Sequence, residues 1–234
     1  MCGRFRLSHR GKLAEHFDLP EEPEFEPRYN IAPTQQVGIV RQTPTRREFT
    51  PREFVHVGWG LIPSWAADAK IGASLINARA ESLIEKPSFK ESFRTRRCLV
   101  PADGFYEWKK AGKSRQPFCF TLCDDSLFAF AGLWDSWKAP DGNIVESCSI
   151  ITTAPNTLCA EVHDRMPVIL DPAGYDTWLS PLSDVERLSG LLQPFHPEKM
   201  QSYPVSSAVN SAATETPECS QPITDPLPDT PMLF

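Results

Sequence analysis

The 234-residue chain has no uninterrupted apolar run approaching the length of a membrane span, so no spanning helix and no membrane partner are expected. Its basic opening, Met1-Cys2-Gly3-Arg4-Phe5-Arg6, is followed by no apolar stretch or small-residue cleavage site, which argues against a secretory signal. Metal-ligand spacing is missing as well: there is no Cys-x-x-Cys pair and no His-x-x-x-His grouping. No metal and no cofactor are therefore expected. The seven cysteines, at 2, 98, 119, 123, 148, 159 and 219, are odd in number and unpatterned, which speaks against a disulfide framework and for a reducing, cytoplasmic compartment. Lys and Arg are absent from the last 24 residues, and no internal repeat is visible.

What is present is ordinary for one globular unit. Hydrophobic residues make up 41% and charged residues 23%, and the length supports one substantial core rather than two. Net charge is −6, which on its face disfavours nucleic acid, but four of the acids lie in that terminal stretch. Residues 1–210 carry only −2, and a near-neutral body can still present a basic face. From Ser211 the composition turns rich in Pro, Ser and Thr with few large apolars, so the domain is expected to span 1–210 and 211–234 to be a disordered acidic tail.

Runs rich in β-branched and aromatic residues predict strands at Val37–Arg41, Phe54–Trp59, Arg97–Val100, Phe118–Leu122, Leu127–Leu133, Ser147–Thr152 and Met166–Leu170. Helices are expected near Ser88–Phe93, Thr157–Val162, Ala173–Leu179 and Asp184–Leu192, and Ser8 as the cap of a helix carrying Leu13 and Phe17 on one face. Strands do not alternate with long helices, so a doubly wound parallel sheet is not expected. The pattern fits an α+β domain on a mostly antiparallel, partly closed sheet with short flanking helices. Cys98, Cys119, Cys123 and Cys148 fall in apolar surroundings and read as small buried hydrophobes.

Four places carry candidate chemistry. Loss of Met1 would leave Cys2 with an α-amine titrating near ~7.7–8.0 beside a thiol near ~8.5. Arg4 is close enough in sequence to favour the thiolate. Such a 1,2-aminothiol condenses with an aldehyde to an imine and then closes a five-membered thiazolidine. Taken alone, however, Cys2 reads better as an accident of the second codon. In Leu75–Ser82, Asn77 and Arg79 share a face of an extended segment, where Arg suits phosphate and Asn an amine or sugar oxygen. A solvated strand edge would look the same. Glu107 stands between Tyr106 and Trp108, where desolvation would raise its pKa; a solvent-facing Glu on a strand is a comparable reading. His163, followed by Asp164 and Arg165, is the one histidine of five with both an acid and a base within two residues of it in sequence, and it suits proton shuttling.

Six segments, taken together and in order, resemble the SOS-response-associated peptidase family of abasic-site processing proteins. They are Met1–Phe5, Arg28–Pro33, Trp59–Pro63, Ile76–Glu81, Arg97–Trp108 and His163–Pro167. A weaker likeness continues to Tyr203–Ser206, and the stretch from Ser211 lies outside it. The resemblance implies an α+β pseudo-barrel with a basic groove ending at Cys2, acting as a monomer on single-stranded DNA that contains abasic sites. It implies that Cys2 forms a thiazolidine DNA–protein crosslink after self-removal of Met1, with lyase-like imine chemistry. Asn77 would position the amine and sugar, Glu107 would donate protons and His163 would shuttle them. Arg4, Arg79 and Arg165 would grip phosphates and Trp65 would stack on a base, in a cytoplasmic protein drawn to the nucleoid by damaged DNA. Two other readings stay open: a thiol peptidase in which His163 assists Cys2 against other proteins, and a single-strand DNA-binding module without chemistry.

Overall fold

Strand-forming runs broken by proline and glycine fold into two sheets in the computed structural model, which describes residues 2–9, 12–42 and 51–224. The strands are β1 (Phe5–Leu7), β2 (Arg28–Ile31), β3 (Gln36–Arg41), β4 (Glu53–Trp59), β5 (Asn77–Arg79), β6 (Arg97–Ala102) and β7 (Gly104–Ala111), then β8 (Ser114–Leu122), β9 (Phe128–Lys138), β10 (Ile144–Thr153), β11 (Met166–Pro167), β12 (Ile169–Leu170) and β13 (Met200–Pro204). Among the described residues, five short helices flank them: α1 (Leu13–Phe17), α2 (Pro87–Thr95), α3 (Thr157–Ala160), α4 (Tyr175–Leu179) and α5 (Val185–Gly190). The α+β class with a mostly antiparallel, partly closed sheet is what the molecule adopts.

Closure arises in the larger sheet. β10 pairs in parallel with β4, β4 with β3, β3 with β6, β6 with β9, and β9 returns to β10, completing a five-strand circuit. β6 is buried along its whole length and so are eight consecutive residues of β9, because both of their faces are covered. Gly132 permits β9 to lie close against β6: a Cβ there would meet Cys98 Sγ at 2.8 Å and Val100 Cγ2 at 2.9 Å.

The second sheet, ordered β13–β8–β7–β1–β2, packs against this barrel. Phe5 on β1 meets Trp59 at 5.2 Å and Phe130 at 5.7 Å, and Phe105 on β7 meets Phe130 at 6.0 Å, all edge-on. These rings fix β1 and β7, the two strands nearest the amino terminus, to the barrel. Asp103, buried just before β7, accepts from Ser8 N at 2.6 Å, Ser8 Oγ at 2.9 Å and His9 N at 2.7 Å and pairs with Arg6.

Several expectations are corrected. Ser8 does not cap α1; it binds Asp103, and the first N–H groups of α1, those of Leu13 and Ala14, donate instead to the Glu22 carboxylate. Met166–Leu170 is not one strand. β11 pairs with β10 and β12 with β9, so the chain changes partners around Val168. Cys123 is exposed rather than buried.

Residues 211–224, the first part of the expected tail, pack against the body of the domain. The Glu215 carboxylate accepts from Tyr29 N and, at 2.8 Å, from Asn30 N, and it pairs with Arg28. The Asn30 amide donates to the carbonyls of Val209, Ser211 and Thr214, and Cys219 is fully buried beside Tyr106 and Val209. Docking here is polar, which a count of large apolar residues does not register. The rest of the expected tail, 225–234, lies outside the described residues. Among the described residues, no helix is long and apolar enough to cross a membrane.

Candidate active site

β1 lies beside β7 with Phe5 opposite Phe105, and Tyr106 N donates to the Arg4 carbonyl at 2.9 Å. This backbone pairing, continued one step before β1, carries Cys2 to Glu107. Cys2 is fully buried, and its thiol is pushed far above the ordinary range, by burial first and then by the Glu107 carboxylate, with Cys159 adding to it. Arg4 does act to lower the thiol, but through a backbone hydrogen bond and not through its charge, and burial outweighs it. The Arg4 guanidinium turns away, its Nη1 donating at 2.7 Å to both Asn30 Oδ1 and the Val209 carbonyl.

Glu107 is 4% exposed, and burial pushes its carboxyl up to about 7. The expected cause was its aromatic neighbours, but Tyr106 and Trp108 belong to the cluster on the other face of β7. Glu107 shares its side with Phe105, so it is the barrel-side core that desolvates it. His163 Nε2 stands 3.9 Å from Glu107 Oε2. The His163 ring is held below its ordinary pKa, chiefly by partial burial. Its Nδ1 accepts the Arg165 N–H at 3.0 Å, although Asp164 Oδ1, also 3.0 Å away, would favour a proton there. The Asp164 side chain is 88% exposed and screened by solvent, so the backbone bond decides the tautomer and the proton of the neutral ring sits on Nε2, facing Glu107.

A capped turn sets His163 in place. Asn156 Oδ1 accepts from Cys159 N at 2.8 Å at the start of α3, and Val162 N and His163 N both donate to the Cys159 carbonyl at its end. Cys159, 2% exposed, also feels Glu107, and its thiol is pushed up to about 12 mainly by burial. Sequence reading did not single it out; its only signal there is its position four residues before His163.

β5 pairs in parallel with β10, setting Asn77 beside Ile150 and Arg79 beside Thr152. Asn77 Nδ2 donates to the Ile76 carbonyl at 3.1 Å, whereas its Oδ1 is buried with no hydrogen-bond partner among the described residues. Arg165 grips Glu81 bidentately at 2.6 and 2.9 Å and the Thr152 carbonyl at 2.7 Å. Arg79 is exposed and holds no ion pair among the described residues. The fold thus gathers Cys2, Glu107 and His163, sets Asn77, Arg79 and Arg165 along the adjoining β5–β10–β11 edge, and turns Arg4 toward the C-terminal segment. Trp65, 59% exposed, stands on the loop after β4, where Asp135 accepts from Ser64 N and Trp137 Nε1 donates to the Ala66 carbonyl. Among the described residues, no group of three or more His, Cys, Asp or Glu side chains could hold a metal ion.

A family model described as SOS response associated peptidase (SRAP) matches residues 1–212. The chain is 45% identical over 225 residues to the abasic site processing protein YoqW of Bacillus subtilis (strain 168), covering 93% of this chain and 98% of that one. It is 31% identical to the abasic site processing protein YedK of Escherichia coli (strain K12), covering 95% and 100%. With the abasic site processing protein HMCES of Xenopus tropicalis it shares 30% identity, over 92% of this chain and 72% of that protein. In three dimensions it matches an X-ray crystal structure of a protein from Bacteroides thetaiotaomicron with a TM-score of 0.80 at 28% identity, over 94% and 99% of the two chains. On this family match and this identity, the chain belongs to the SOS response associated peptidase family.

Proposed function

We propose that this protein processes abasic sites in DNA, and that it does so by bonding Cys2 to the ring-opened sugar of an abasic site in a single strand. The observation that carries the reading is the meeting of residue 2 with a buried carboxyl poised at about 7 and a neutral imidazole 3.9 Å from it. Once Met1 is removed, by the chain's own activity in this reading, the Cys2 amine adds to the aldehyde carbon. Protonation of the resulting hydroxyl by Glu107 releases water and leaves a protonated imine. The thiol then adds to the imine carbon and its proton returns to the Glu107 carboxylate, while the nitrogen keeps its own hydrogen, giving a neutral thiazolidine and restoring the acid.

A carboxyl near 7 is present in both forms at neutral pH and suits both halves of this cycle. His163, with Nε2–H toward Glu107, would relay protons between the carboxyl and solvent, and would serve again when the ring opens in reverse. The unpartnered Asn77 Oδ1 is an acceptor suited to the amine or to a sugar hydroxyl. Arg79 would reach phosphate unaided, Arg165 would have to share itself with Glu81, and Arg4 would first have to leave Asn30 and Val209. Trp65 offers an exposed ring for stacking. The strongly raised thiol pKa is unfavourable to a peptidase that attacks other proteins, because little thiolate is present at neutral pH. Amine-first condensation needs none.

Incubating the processed protein with an oligonucleotide carrying one abasic site tests this. A heat-stable adduct is expected from the wild type and none from Cys2→Ala. Equal adducts from both, or none from either, would reject the reading.

A further inference from the structure

The hairpin joining β7 to β8 concentrates positive charge that neither the fold nor the chemistry above uses. Lys110, Lys113 and Arg115 fall within six residues. The strand register sets Lys110 directly opposite Arg115, a like-charge cross-strand pair that weakens a two-stranded ribbon. Lys110, Lys113 and Arg115 are exposed, and none of the three has an ion pair among the described residues. A hairpin stabilised for its own sake would set an acid opposite one of them.

The same strand carries Glu107 at its buried end and Lys110 three residues further out, about 10 Å along at the usual rise. Arg115 acts electrostatically on His163. Beside it, Trp108, Arg115 and Asn210 line a recess of about 270 Å³, with Trp108 Nε1 bonded to Asn210 Oδ1 at 2.7 Å. Residues 1–210 carry a net charge of only −2, so the body as a whole exerts no general pull on an anion and local cations must supply it.

We propose that the β7–β8 hairpin is a phosphate-binding ridge, on which Lys110, Lys113 and Arg115 hold the phosphodiester backbone of the nucleic-acid strand as it leaves the Cys2–Glu107–His163 site. The ridge rests on the DNA reading of that site and extends it to residues outside the six recognised segments. Bound phosphate also relieves the Lys110–Arg115 repulsion, so the pair opposes stability in the free protein and favours binding in the complex.

The test uses the full chain, the Lys110→Gln/Arg115→Gln double variant and an undamaged single-stranded oligonucleotide, with affinity followed against salt. Each lost phosphate contact on a single strand lowers the log–log salt slope by about 0.7, so a slope shallower by about 1.4 is expected, with affinity at low salt down about tenfold or more. The melting temperature should stay level or rise, and Lys90→Gln on α2 should change neither slope nor affinity. Unchanged slope and affinity in the double variant would overturn the ridge, and so would a fall in melting temperature, which would make the pair structural. Adduct formation on an abasic oligonucleotide is a separate readout. If the wild type forms no adduct while the slope still drops, the site chemistry fails and the ridge stands.

Discussion

With burial holding its carboxyl up to about 7, Glu107 links the proposed chemistry to a measurable cost in stability. Its folded pKa lies above its value in the unfolded chain, near 4.5, so the folded state binds the extra proton between these values. Stability is therefore complete below about pH 4.5 and is lost as pH rises through about 7, by on the order of 3 kcal/mol. Glu107→Gln removes that loss. Its melting temperature should exceed that of the wild type at pH 8 and converge with it near pH 5, as thermal denaturation at the two pH values would reveal. The same substitution should slow adduct formation about 10²-fold or more while leaving affinity for undamaged single strands unchanged. In the wild type the proton-donating step should weaken as pH climbs past 7, which a rate–pH profile checks.

At the scale of elements, the C-terminal segment and the amino-terminal strand hold one another. Glu215 accepts from two β2 backbone N–H groups, Asn30 binds three carbonyls of 209–214, and Arg4 ties both to the residue pair next to Cys2. Glu215→Ala strands those buried N–H groups and should cost about 2–4 kcal/mol in a denaturant melt. Arg4→Ala is expected to behave the same way, losing stability and adduct rate together; a variant that only flattens the salt slope would make Arg4 a phosphate grip instead. By contrast, Arg79→Ala should weaken single-strand binding with a shallower salt slope and leave the melting temperature unchanged. Asp103 anchors the other side of β1, and its bonds to Ser8 and His9 explain why Ser8 is unavailable to α1.

Over the whole molecule, what could be read from the sequence followed the range of the interactions. Strands with β-branched or aromatic runs, such as β3 and β4, were legible because their preference is local. β1 and β2 were not, since three or four residues carry little pattern and their pairing with distant strands creates them. Barrel closure through β9–β10 and the docking of 211–224 depend on contacts between remote segments and left no local trace. For the site, Glu107 and His163 could be nominated from their neighbours, yet the burial of Cys2, the nearness of Cys159 and the inward turn of Arg4 required the fold. Burial of Glu107 was expected for one reason and arises from another, because strand alternation puts the flanking aromatics on the opposite face.

The central claim is that an unblocked Cys2 closes a ring on an abasic aldehyde. Intact mass of the purified adduct after borohydride treatment tests it most directly. The mass should equal the chain without Met1 plus the DNA strand less one water, with no hydrogen gained, because a thiazolidine has no C=N bond to reduce. An adduct that takes up two hydrogens, or one whose polypeptide still begins with Met1, would contradict it.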